Sequence, residues 1–201
     1  NIPIVSVQHG ITIEISAFHG EVSTDLDDTV SDLALVYNRM SSKFKGKSPF
    51  SKAKFYVVGA SSRHLRMKNC VHINSENIAP IVYISTNLYR GNLGQFVSWL
   101  TDYSSAKREQ KIVIDVLNKL PHKLRYKTYP ADNKRYADTD PVFGDVLRCN
   151  NIELFDKKND MRYLFSGHRV LVTSVATSTL GWLVFTGKPV VFINNSCHGP
   201  L

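Results

Sequence analysis

Cysteine, long apolar runs and glycine-rich phosphate motifs are what this chain has least of. Its 201 residues hold three cysteines, Cys70, Cys149 and Cys197. They are odd in number and follow no ligand spacing, which argues against a disulfide framework or a zinc site and for a reducing compartment. No apolar run approaches the ~18 residues that cross a bilayer. The start, Asn1-Ile2-Pro3, lacks the Met and basic region of a signal peptide, and with the abrupt end at Pro200-Leu201 it reads as a fragment or trimmed chain. Neither G-x-G-x-x-G nor G-x-x-x-x-G-K-[ST] occurs, which excludes an ordinary dinucleotide fingerprint and a P-loop. There is no G-x-S-x-G elbow. The seven histidines form no H-x-x-x-H pair, so no metal site is expected. Acidic residues are outnumbered, 17 against 25 Lys and Arg, for a formal charge of +8. Such a surplus suits either a solvated basic surface or an anionic partner, namely membrane lipid, nucleotide or nucleic acid. No aromatic RNP-like strand or helix-turn-helix is present, so no nucleic-acid partner is expected.

What is there is an alternation of short apolar runs with helical periodicity. Ile2 to Val7 reads as a strand ending in Gln8-His9-Gly10, which puts an imidazole at a strand's carboxyl end, where open α/β sheets bind ligands. Ile11 to Ser16 alternates like a strand. Asp25, Asp27 and Asp28 precede Val30, Leu33, Ala34, Val36 and Tyr37, a pattern that predicts a helix with acids at its start. Ser41 to Lys54 is basic and reads as a loop; Phe55 to Val58 reads as a strand, and 64 to 79 as a connector. From Pro80 the order is regular. Ile81 to Ser85 is a strand, followed by the polar loop Thr86 to Asn92 with Asn87 and Arg90. Phe96 to Leu120 reads as one long or broken helix with Trp99 and Tyr103 in the core. Leu124 to Thr128 is a strand, Val142 to Leu147 a short helix, Ile152 to Phe155 a strand and Lys158 to Phe165 a helix.

The last unit is the most informative. Val170 to Val172 runs into Thr173-Ser174-Val175-Ala176-Thr177-Ser178-Thr179, then an amphipathic stretch from Leu180 to Phe185, a stop at Thr186-Gly187-Lys188-Pro189 and a second apolar run, Val190 to Ile193. Strand, hydroxyl-rich turn, helix, glycine stop and strand make a βαβ unit whose helix start suits an anion. Ser174, Ser178 and Thr179 are its candidate phosphate ligands; an ordinary N-cap is the alternative for Ser178 and Thr179. The whole pattern predicts an α/β chain. Residues 80–201 form a Rossmann-like parallel sheet with helices on both faces, and residues 1–79 a partial second α/β unit with a connector.

These features in this order resemble bacterial GT-B-fold glycosyltransferases of surface polysaccharide biosynthesis, which build capsule, lipopolysaccharide and teichoic acid. Gln8-His9-Gly10 is similar to that family's QHG strand end, and Tyr83 to Tyr89 to the first strand and loop of its C-terminal domain. Leu124 to Pro130 resembles its K-x-H-P strand end, with Tyr129 in place of the histidine. Leu171 to Ser174 through Gly187-Lys188-Pro189 resembles its donor-binding signature. The resemblance implies a GT-B-like fold and a metal-independent transfer of a sugar or polyol phosphate from a nucleotide-activated donor to a glycan or lipid-linked acceptor. The nucleotide-sugar is a substrate, so no cofactor is implied. His9 becomes the candidate catalytic base, and Asn87, Arg90, Lys127, Ser174, Ser178 and Thr179 the candidate donor ligands. The implied location is the cytoplasm, with peripheral contact at the inner face of an anionic membrane. One departure stands out: where many relatives carry a ribose-binding Glu, this chain has Gly181-Trp182. That leaves two alternatives, a non-catalytic glycan-assembly module derived from a transferase and a nucleotide-sugar 2-epimerase.

Overall fold

The computed structural model of the chain describes residues 2–8, 10–11, 27–43, 49–69, 78–85, 102–128, 140–159, 161–174 and 178–194. Its strands are β1 (Val5–Val7), β2 (Leu33–Val36), β3 (Lys54–Val57), β4 (Ile81–Ile84), β5 (Leu124–Lys127), β6 (Ile152–Phe155), β7 (Val170–Thr173) and β8 (Val190–Phe192). Its helices are α1 (Arg39–Lys43), α2 (Ser62–Leu65), α3 (Asp102–Lys111), α4 (Pro141–Arg148), α5 (Met161–Ser166) and α6 (Ser178–Phe185). Two compact units divide these elements: one draws on residues 1–69 and 176–187, the other on 70–175 and 188–196.

In the first unit β1, β2 and β3 form a parallel sheet in that order, Val5 opposite Leu33 and Leu33 opposite Lys54. β2 corrects a sequence expectation. The predicted helix through Val30–Tyr37 amounts to one helical turn at residues 27–30, and Leu33-Ala34-Leu35-Val36 runs as the central strand. The carboxylates explain the change. Asp28 accepts from Ala53 N–H at 3.0 Å and from the Ser51 hydroxyl, and Asp32 accepts from Ile4 N–H at 2.9 Å. Both acids tie neighbouring strands together instead of opening a long helix. A four-residue apolar run with a ladder on each side gains more from pairing than from helix propensity. The predicted loop after Ser41 overlaps α1, whose first N–H groups are capped by Asn38 Oδ1. The predicted connector begins with α2, capped by Ser61, and a 3-10 turn through Asn69. The turns after β1 and β3 pass through Gly10 and Gly59 at φ 77° and 82°, a left-handed conformation that suits glycine.

In the second unit five parallel strands lie in the order β6-β5-β4-β7-β8. All five fall where the sequence places them. The order reverses once, between β4 and β7, as in a doubly wound Rossmann-like sheet. Tyr83, Leu124, Tyr126, Ile152 and Val172 share one face and pack against Ile112, Val113 and Leu117 after α3 and Val142 and Val146 of α4. Alternation turns Val82, Ile84 and Leu171 the other way, and they are buried too. The central strands are thus covered on both faces, the condition a parallel sheet requires. The predicted broken helix is α3, a π-helical turn over Ile112–Val116 and a 3-10 turn over Leu117–Lys119. Three successive β-branched residues crowd a regular helix, and the wider turn faces Ile112, Val113 and Leu117 to the core. Tyr103 is a correction: it is 71% exposed, held at the surface by its polar tip and by Lys107 Nζ 5.6 Å from its ring. Trp99 and most of the Ile11–Ser16 run lie outside the described residues.

The amino ends of β4 and β7 are pinned by polar groups. His168 Nδ1 lies 2.6 Å from Ala79 O, and burial pushes the His168 pKa down to about 4. Lys188 Nζ donates to the carbonyls of Phe165, Ser166 and His168, so the lysine of Gly187-Lys188-Pro189 caps the end of α5.

Candidate functional site

In a doubly wound sheet the strand reversal opens a crevice at the carboxyl ends, here those of β4 and β7. β4 leaves the sheet at Ser85 and β7 at Ser174, both buried. Ser85 N–H still donates to Lys127 O at 3.0 Å, and Thr173 Oγ1 donates to Ile84 O at 3.1 Å, so the strand ends are fixed to one another.

Beneath this edge lies a cluster of oxygens. Tyr83 and Tyr126 are register partners on β4 and β5, with ring centroids 5.3 Å apart. Both hydroxyls reach Glu109 of α3: Tyr83 Oη lies 2.7 Å from Oε2, and Tyr126 Oη 2.9 Å from Oε1. Ser174 Oγ is 2.6 Å from Tyr83 Oη and 3.2 Å from Glu109 Oε2. The Glu109 side chain is 2% exposed, and burial raises its pKa against the lowering effect of these hydrogen bonds. Burial, with the Glu109 charge next, raises both tyrosines well above their ordinary value. Ser85 faces Glu109 and Tyr126 as well, without a hydrogen bond of normal geometry.

One strand over, Lys127 ends β5. The residue is 3% exposed, and its ammonium donates to Thr128 O at 2.9 Å. Its other neighbours are the Phe155 ring, 5.7 Å to the centroid, and the charge of Asp156. Burial lowers its pKa more than Asp156 raises it. Arg125 covers the same ring at 4.8 Å and makes a two-pronged contact with Glu153. A cation with so little compensation among the described residues, at a strand's carboxyl end, is a natural anchor for an anion.

Of the sequence-predicted residues, Lys127 and Ser174 stand at the carboxyl edge of the five-stranded sheet. Ser178 and Thr179 open α6, half-buried, in the first unit. His9, Asn87 and Arg90 lie outside the described residues. Glu109, Tyr83 and Tyr126 were not singled out in the sequence. Their signal was there: Glu109 falls on the helix stripe continued by Val113 and Leu117, and an acid on an apolar stripe calls for a buried partner.

Gly181-Trp182, in place of the family's Glu, has a packing role in the first unit. The Trp182 ring stacks on His64 at 4.3 Å, and Arg63 lies 5.0 Å from its centroid. A Cβ on Gly181 would meet Ile11 Cγ1 at 3.0 Å, so any larger residue there would make the Ile11 side chain shift.

Among the described residues no group of three His, Cys, Asp or Glu side chains is placed to hold a metal, and no helix is long and apolar enough to cross a membrane.

No protein-family model matches the sequence, and no curated protein matches it. Among solved structures, HepE of Anabaena with UDP-glucose shares 14% identity at a TM-score of 0.45, over 94% of this chain and 53% of that one. HepE with UDP and glucose gives 16% and 0.44, over 94% and 52%. UGT2 of Phytolacca americana, with UDP-2fluoro-glucose and pterostilbene, gives 14% and 0.41, over 88% and 37%. The chain therefore spans about half the length of the HepE chains.

Proposed function

We propose that the chain is a metal-independent GT-B-type glycosyltransferase, or the donor-binding part of one, whose nucleotide-activated sugar sits at the carboxyl ends of β4 and β7. One observation carries this reading. The segment that resembles the donor-binding signature, Leu171 to Ser174, ends at the strand reversal, with β4 between it and β5, the strand that delivers Lys127. When a sugar–phosphate bond breaks, charge grows on the leaving phosphate. A buried ammonium and a hydroxyl already fixed in place stabilise that charge without reorganising. The acceptor, a surface glycan or lipid-linked glycan, comes from the sequence resemblance, as does His9 as the base that takes the proton from its hydroxyl. The charge of +8 suits work at the inner face of an anionic membrane.

The test is a thermal-shift panel with CMP, CDP, UDP and their sugar conjugates. At least one raises the melting temperature of the wild-type chain, and Lys127→Met removes the shift. No shift with any nucleotide contradicts the reading. The second reading, a non-catalytic glycan-assembly module, draws on the packing role of Gly181-Trp182 where a ribose-binding Glu was expected. It predicts glycan binding with no turnover of any donor.

A further inference from the structure

We propose that Phe155 is a positioning residue that makes the site select anions: it stands opposite Lys127 where an acid would neutralise it, and its ring holds the ammonium at the sheet edge with its charge left for a bound phosphate. The inference rests on the donor site proposed above.

Two cross-strand pairs on one face of β5 and β6 make the case. Arg125 and Lys127 are two apart on β5, so the pleat puts them on the same side, and Glu153 and Phe155 match them on β6. Arg125 is in register with Glu153. Lys127, one step nearer the carboxyl edge, is in register with Phe155. The first cation is satisfied: Arg125 Nε donates to Glu153 Oε2 at 3.2 Å, and Nη2 reaches Oε1 and Oε2 at 3.1 and 3.0 Å. The second faces a ring, with Nζ 5.7 Å from the Phe155 centroid. Among the described residues no carboxylate forms an ion pair with its ammonium. The Asp156 charge acts on it from an exposed residue, where water and salt screen it.

Phe155 fixes the ammonium in two ways. Its ring draws the cation to its face and keeps water from that side. Its carbonyl accepts from Thr128 N–H at 3.1 Å, which ties down the residue whose own carbonyl takes the ammonium's hydrogen bond. The Arg125 guanidinium lies 4.8 Å from the same centroid, but Glu153 cancels its charge. Of the four side chains, only Lys127 keeps a charge that no register partner cancels.

An acid at position 155 would repeat the Arg125–Glu153 pair one step along the strands. It would satisfy the ammonium within the protein and set a carboxylate beside any phosphate that approached. A ring attracts the cation and presents no charge to repel an anion. The aromatic residue thereby turns a cross-strand cation into an anion-binding group.

The test is a set of substitutions at position 155 in the whole chain, read by calorimetric titration with UDP, CDP and CMP and by melting temperature. Phe155→Glu supplies the missing acid. Affinity for each nucleotide that the wild type binds falls about a hundredfold, the effect of setting like charges side by side. Phe155→Gln matches that side chain in size without its charge and loses only about threefold, the worth of the ring. Phe155→Glu also melts at or above Phe155→Gln, because Lys127 gains a cross-strand partner. Phe155→Tyr keeps the ring and binds like the wild type. A Phe155 that serves packing alone gives Phe155→Glu and Phe155→Gln the same affinity. That result overturns the proposal and leaves the donor site standing. So does a Phe155→Glu chain that melts below Phe155→Gln, or a Phe155→Tyr chain that binds no better than Phe155→Gln. A wild-type chain that binds no nucleotide overturns both.

Discussion

At Lys127, among the described residues, an ammonium sits with one hydrogen bond, an aromatic face and the charge of Asp156 where water would otherwise be. Burying a charge costs free energy unless something repays it, and a bound anion does so better than the Thr128 carbonyl. Lys127→Met is therefore expected to keep or raise the melting temperature while nucleotide affinity falls at least about tenfold. A residue held only for folding would give the opposite pair of results. His168 makes a different statement at the amino ends of β4 and β7. Its pKa is about 4 in the folded chain against 6.5 ordinarily. The unfolded chain thus binds the extra proton over that interval, so His168's contribution to stability is complete above about pH 6.5 and drains away as pH falls toward about 4. Melting curves between those limits check this, and His168→Gln flattens the dependence. Lys127 and Ser174 were candidate donor ligands in the sequence. The role of His168 was not visible there, since it precedes a strand like any linker histidine, and neither were the partners of Ser174, which lie 65 and 91 residues away in the chain.

Elements were legible where a run had neighbours of its own kind. From Ile81 onward each apolar run is bounded by a turn and followed by a helical period, and all five strands of the second unit fall where the sequence places them. Leu33–Val36 failed because four successive apolar residues carry no alternation, and the acids before them imitate a helix start. Only the ladders to β1 and β3 decide it. The same contrast holds for α5 and α6. α5 is short, and Lys188 closes it from a distant part of the chain. Lys188→Met leaves three carbonyls without that donor and should cost about 1–2 kcal/mol in chemical unfolding. For α6, Trp182→Ala removes the stack on His64. It should lower stability by about 2–3 kcal/mol, less than a fully buried Trp because this ring is half-buried.

For the whole molecule, two parallel sheets are established, and the carboxyl edge of the larger one gathers Lys127, Ser85 and Ser174. That edge is the account's central claim, and hydrogen exchange with and without saturating UDP, CDP or CMP tests it most directly. Peptides that contain Ser85, Lys127 and Ser174 should exchange more slowly with nucleotide bound. Those that contain Ala79 and His168, at the opposite ends of β4 and β7, should not change. Protection at the Ala79–His168 end, or nowhere in the second unit, would contradict the account.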